Sequence, residues 1–260
     1  MRTYRISPSL MNKFSEWLNC ADTYAKYWGN MEAPEVTEAE FEKVTLRELF
    51  SYINREPQPL SEAANRGTCL NEIVDCLIGA YPNPSVSWEK VDGRYIAQRN
   101  GFTFNFDARM VEDLQLQMRN SIPQYHLENT YELAGCDYSV TLHGYSDYIF
   151  PTQIWDLKTT SKYEAETYRD NWQRLVYPVV AVDSGDVLKC ETFGFHVVEC
   201  WKPKGVDVIC GRTWRETYDV NVEEARGQIM EFITGVMVPT LDQWHAEGRT
   251  PNQNICNYDE

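Results

Sequence analysis

The sequence predicts an α/β protein: a central mixed sheet with helices on both faces and additional helices at its N-terminal end. Three observations carry this. Segments of helical period fill most of the chain before residue 80 and again after residue 222. Short β-branched and aromatic runs, bounded by turn residues, cluster between residues 129 and 220. A helical segment at 164–182 interrupts those runs, an order that sets helices against a sheet rather than apart from it. No internal repeat or low-complexity stretch divides the 260 residues. They read as one domain, 1–260, with an N-terminal helical part (1–60), a core (60–200) and a strand plus C-terminal helix (200–260).

Behind a Ser7-Pro8-Ser9 start, Leu10, Phe14, Trp17, Leu18 and Tyr24 follow helical spacing over residues 9–28. Residues 37–55 continue as an acidic helix whose charges surround Phe41, Leu46, Leu49 and Phe50. Residues 60–80 form a core helix with Cys69, Leu70, Ile73, Val74 and Leu77 on its apolar side, ended by Gly79 and Pro82-Asn83-Pro84. An irregular patch follows. Residues 102–106 then alternate as a strand and 108–120 return to helix. Residues 131–133, 138–149 and 153–159 read as strands. The helix at 164–182 carries Tyr168, Trp172, Leu175, Val176 and Val179. Strands at 190–200 and 206–220 lie either side of Lys202-Pro203-Lys204-Gly205, and an amphipathic helix closes the chain at 222–245.

Composition narrows the function classes. With 43% hydrophobic and 13% aromatic residues the chain is no disordered acidic tail, and its length is ample for a full core. It holds no apolar run of about 18 residues and no apolar signal core at the N-terminus, so a soluble, cytoplasmic protein with no membrane partner is expected. The eight cysteines include no C-x2-C pair and the four histidines are scattered, which argues against zinc and against a disulfide framework. Metal chemistry here has to use oxygen ligands.

The informative stretch is Gly144-Tyr145-Ser146-Asp147-Tyr148-Ile149-Phe150-Pro151-Thr152-Gln153-Ile154-Trp155-Asp156-Leu157-Lys158. If Phe150 and Gln153 close a hairpin, Asp147 falls opposite Asp156, where Cβ atoms stand about 4.5–5.5 Å apart. Lys158 projects to the same face as Asp156. Two facing carboxylates repel, and a divalent cation such as Mg²⁺ or Mn²⁺ would compensate them. The plainer alternative is that both acids face solvent with Lys158 as their salt-bridge partner. Downstream, Gln173 and Tyr177 share a helical face at i and i+4.

Taken in order, Gly144-x-x-Asp147, Asp156-x-Lys158 and Gln173-x-x-x-Tyr177 resemble the motifs of the PD-(D/E)XK nuclease superfamily, in particular its RecB-like and phage lambda-type exonuclease branch. Ile6-Ser7-Pro8-Ser9-Leu10 with Phe14 and Cys20 is similar to the opening motif of the RecB-like proteins, and Arg66-Gly67-Thr68 also fits that branch. The resemblance spans about residues 5–200. It implies a restriction-endonuclease-like fold and a metal-dependent DNA exonuclease of recombination or repair. It makes Asp147 and Asp156 metal ligands, with the Leu157 carbonyl beside them, while Lys158 orients or activates water and stabilises the developing charge, and Gln173 and Tyr177 brace the site or contact the nucleic-acid backbone. A metal held by carboxylates supplies both the activated water and the charge neutralisation that phosphodiester hydrolysis needs. The chain departs from the pattern at Asn71, where the family has Glu or His; Asn71 offers one neutral amide oxygen as a weaker ligand, and Glu72 or Asp75 could substitute for it. With only Cys256 following Cys210, no iron–sulfur cluster is expected. Expected partners are DNA, in the form of double-stranded ends, a second copy of the chain, and a recombination partner protein.

Charge complicates this reading. With 24 Lys+Arg against 39 Asp+Glu the net charge is −15, unfavourable for phosphate contact. Residues 158–215 nevertheless hold nine basic and eight acidic side chains. Lys162, Arg169, Arg174, Lys202 and Lys204 in that segment are the expected nucleic-acid contacts. A catalytically weak or inactive binding or assembly protein on the same fold is the alternative, and an acidic surface for a basic protein partner is a third.

Overall fold

The computed structural model describes residues 2–57 and 59–258. They form a mixed α/β fold, a central six-stranded sheet flanked by helices, with a separate three-stranded sheet on one side. Four helices come early: α1 (Pro8–Leu18), α2 (Cys20–Trp28), α3 (Glu38–Ile53) and α4 (Glu62–Leu77). Ser7 caps α1, Thr37 and Glu40 form a reciprocal capping box on α3, and Ser61 caps α4, so side-chain oxygens satisfy amides that have no helical partner. The single helix expected at 9–28 is two, because Asn19 (φ −97°, ψ 16°) leaves the helical region.

The central sheet is built around β6 (Tyr138–Ile149). One edge of β6 pairs along its length with β5 (Ile122–Glu132). The other edge is shared. β1 (Arg2–Ile6) runs parallel to residues 138–142, and β7 (Gln153–Thr160) pairs antiparallel at Tyr148–Trp155 and Ile149–Ile154 only. Residues 143–147 therefore lack a ladder partner on that edge among the described residues. β8 (Thr192–Trp201) runs parallel to β7, and β9 (Cys210–Asp219) pairs antiparallel to β8.

Strand alternation divides the interior into two cores. Ile154, Phe193, Phe195 and Val197 face a core shared with α1, α3, α6 (Gln173–Asp183) and the C-terminal helices. Trp155, Leu157, Val198 and Cys200 face a second core with α4, α5 (Ala108–Met118) and the small sheet. Among the described residues no two cysteines are joined in a disulfide.

Several elements differ from the sequence reading. The irregular patch contains a hairpin, β2 (Ser87–Val91) and β3 (Arg94–Arg99), turning at Asp92 (φ 47°) and Gly93 (φ 73°), the left-handed pair that a two-residue hairpin favours. β3 continues the small sheet with β4 (Phe102–Asp107). The short strand at 131–133 extends back to Ile122. The helix at 164–182 begins only at Gln173: Glu166 sits at φ 63°, and the Trp172 amide donates to the Asn12 side chain (3.0 Å) instead of continuing a helix. The closing helix is α7 (Val222–Phe232) and α8 (Val238–Ala246), joined by a π-helical turn at Ile233–Met237 ahead of Pro239. A wider turn accommodates a proline that lacks an amide and crowds the preceding turn. Among the described residues no helix is long and apolar enough to cross a membrane.

Candidate functional site

The hairpin from β6 to β7 has the register that the sequence implied, with the Phe150 amide donating to the Gln153 carbonyl at 2.8 Å. Beyond Tyr148–Trp155 the strands part, and Asp147 does not pair with Asp156 in the ladder. Its Oδ2 instead accepts from the Leu157 amide at 2.8 Å, so a side chain stands where a backbone carbonyl would have been. α6 packs into this gap. Tyr177 lies so close to Gly144 that a Cβ there would come within 2.7 Å of the ring.

Asp156 and Lys158 face α6 and close a ring of contacts with Gln173. Lys158 Nζ sits 2.6 Å from Asp156 Oδ2 and donates to Gln173 Oε1 at 2.8 Å. Gln173 Nε2 donates to Asp156 Oδ1 at 2.7 Å and lies 3.3 Å from the Tyr177 hydroxyl. Asp156 is 2% exposed. Burial works to lower the Lys158 ammonium, but the charges of Asp156 and Asp147 outweigh it and hold the group above its ordinary value. Burial, reinforced by Asp156, pushes the Asp147 carboxyl up to about 8, and burial raises the Tyr177 hydroxyl.

On the opposite side α4 supplies Asp75, and β5 supplies a residue that sequence reasoning missed. Gln124, in the left-handed region at φ 49°, turns its amide between two acids: Nε2 donates to Asp75 Oδ2 at 3.0 Å and lies 3.4 Å from Asp147 Oδ1. Burial pushes Asp75 up to about 7. Glu72 is engaged elsewhere, accepting from the Asn83 amide at 2.6 Å and from the Cys76 thiol. Asn71 faces the same cleft as Asp75, with its Oδ1 buried and unbonded.

This arrangement overturns the metal-dependent reading. Among the described residues no three His, Cys, Asp or Glu side chains form a group that could hold a metal ion. The expected set of Asp147, Asp156, the Leu157 carbonyl and one of Asn71, Glu72 or Asp75 does not converge, because protein donors take up the acids. Asp156 is neutralised by Lys158, Asp147 is bonded by the Leu157 amide, Asp75 is held by Gln124, and Glu72 ties down the loop after α4. Leu157 meets Asp147 through its N–H, a donor. The residues do not fit Mg²⁺ or Mn²⁺, and the assignment of a metal-dependent exonuclease of recombination or repair falls with them. The plainer reading of Lys158 as a salt-bridge partner matches the contact found, although Asp156 is buried rather than solvent-facing.

The expected nucleic-acid contacts are largely engaged within the protein. Lys162 pairs with Glu164 at 2.7 Å, Arg169 with Glu166 at 3.3 Å and Lys202 with Asp207 at 2.9 Å. Arg174 donates to the Arg169 carbonyl and lies over the Tyr218 ring. Lys204 is exposed in the turn after β8.

No family model and no curated protein matches the chain. Among solved structures, one described as the crystal structure of SSO0001 aligns with a TM-score of 0.41 at 8% identity, covering 90% of this chain and 77% of that one. A likeness at that level carries no argument about fold family or function.

Proposed function

We propose that this chain is a nucleic-acid-binding or assembly protein with weak or no catalytic turnover, on a scaffold similar to that of the PD-(D/E)XK superfamily. The ordered motifs Gly144-x-x-Asp147, Asp156-x-Lys158 and Gln173-x-x-x-Tyr177 support the relationship, and with it a restriction-endonuclease-like fold and DNA as the partner. One observation carries the non-catalytic half. Asp156 and Lys158 form an ion pair that Gln173 bridges in a closed ring, so the groups that would position metal and water already hold the interior together.

The test uses end-labelled single- and double-stranded oligonucleotides in parallel binding and cleavage assays. Binding that weakens as salt is raised from low to moderate levels is expected, since phosphate contacts release counterions. The oligonucleotides are expected to stay intact in Mg²⁺ and in Mn²⁺. Failure to bind either form at low salt overturns the nucleic-acid half, and cleavage abolished by Asp156→Ala in a folded variant overturns the rest.

A further inference from the structure

The cleft between α4, the loop that follows it and the start of β5 lies outside the Lys158 ring. Its volume is about 660 Å³, and it is lined by Thr68, Asn71 and Asp75 from the helix, Tyr81 from the loop, Gln124 from β5 and Tyr145 from β6. Two features of this lining call for an occupant. Asn71 Oδ1 is buried with no donor in hydrogen-bond geometry, and beside it Asp75, only 4% exposed, presents a carboxyl shared between the Gln124 amide and the Tyr148 hydroxyl. A buried acceptor in the condition of Asn71 Oδ1 is uncommon, because leaving it unbonded costs the desolvation of the group. At the rim, Tyr81 is 98% exposed and Tyr145 is 60% exposed, Tyr145 being tilted against the His126 ring at 4.8 Å. Large aromatic faces left to solvent above a polar floor are a stacking surface.

The chemistry of the occupant follows. The floor offers acceptor oxygens and the carboxylate of Glu72, which repels phosphate. The entering group must therefore be flat, not anionic, and rich in N–H donors along one edge. An unpaired nucleobase has that form: its faces stack on aromatic side chains and its Watson–Crick edge carries amino or imino N–H groups. We propose that this cleft is a nucleobase site, which captures a base from a single-stranded or frayed end between Tyr81 and Tyr145 with its N–H edge toward Asn71 and Asp75. The proposal rests on the nucleic-acid reading above and gives it a specific form. Affinity comes from stacking and base-edge contacts, which suits a protein of net charge −15 better than a phosphate-tracking groove does.

The experiment is fluorescence anisotropy at fixed salt with a labelled single-stranded oligonucleotide, its blunt duplex, and a strand of equal length made abasic. The proteins are the wild type and the Tyr81→Ala, Tyr145→Ala and Asn71→Leu variants, each checked for folding by circular dichroism. The single strand should bind more tightly than the duplex, and the abasic strand about tenfold more weakly than the intact one. Each tyrosine substitution at the exposed rim should cost about tenfold for the intact strand and almost nothing for the abasic strand. Equal affinity for intact and abasic strands, or no effect of the tyrosine substitutions on a wild type that does bind DNA, overturns the nucleobase site and leaves the broader reading standing. Absence of binding to every oligonucleotide removes both. Capture of an arginine-rich peptide in place of DNA, lost in Tyr145→Ala, overturns the assignment in favour of a guanidinium.

Discussion

Replacing Lys158 with alanine is expected to destabilise the chain by about 3–5 kcal/mol, read as a lower urea midpoint at an unchanged slope. The size of the effect comes from what is left behind. Asp156 is 2% exposed, and its other contact is the Gln173 amide. Removing the ammonium strands a carboxylate in an apolar interior, and the carboxamide cannot neutralise it. Gln173 loses its donor at Oε1 in the same step. The double variant Asp156→Asn with Lys158→Met should recover most of the loss, since replacing a buried pair by neutral groups of similar volume is far less costly than breaking it. A Lys158→Ala cost below about 1 kcal/mol, the range of exposed pairs, would show that the ring does not hold the site together.

The second large effect is a dependence of stability on pH. A carboxyl in the unfolded chain titrates near about 3.9, whereas burial raises Asp75 to about 7 and Asp147 to about 8 in the folded protein. The folded state therefore holds these protons more firmly. Their contribution is fully present below the unfolded value and is lost as pH rises toward the folded values, levelling off above about 8. From pH 5 to pH 8 the loss is on the order of 3–6 kcal/mol for the two groups together, at about 1.4 kcal/mol per unit for each. Buried His196 works in the opposite direction: burial and Arg215 lower it to about 3, so its contribution is lost as pH falls below about 6.5. That effect is common to the wild type and an Asp75→Asn/Asp147→Asn variant. Urea titrations of both proteins at pH 5 and pH 8 isolate the two acids. The advantage of the wild type over the variant should shrink at the higher pH, and a pH-independent difference would count against the burial of these carboxyls.

What the sequence made legible, and what it did not, follows from where the signals are local. The β6–β7 hairpin could be placed to the residue because Phe150-Pro151-Thr152-Gln153 is a turn between two strongly patterned strands. Gln173 and Tyr177 fell on one face because helical period fixes it. By contrast, β1 is five residues long and acquires its identity only by lying along β6. The first part of β5, with Pro123, Gln124, His126 and Glu128, reads as polar loop because it is an edge strand with one face in solvent. Without that strand Gln124 stays hidden, and with it the amide that reaches both Asp75 and Asp147. The β2–β3 hairpin has a local signal in Asp92-Gly93, but its strands carry too little apolar alternation to stand out from the irregular patch. The metal expectation failed for a related reason. A sequence shows which acids can come near one another, but the donors that consume their lone pairs arrive from the Leu157 backbone, from β5 and from α6.

The most direct measurement is the electron paramagnetic resonance signal of free Mn²⁺ during titration into the intact protein. With the acids taken up by Lys158, the Leu157 amide and Gln124, the free-ion signal should rise in proportion to the Mn²⁺ added, and identically for the wild type and an Asp147→Asn/Asp156→Asn variant. Loss of about one equivalent of signal in the wild type, restored in that variant, would contradict the account, because it would mean that these carboxylates leave their protein partners to hold a cation.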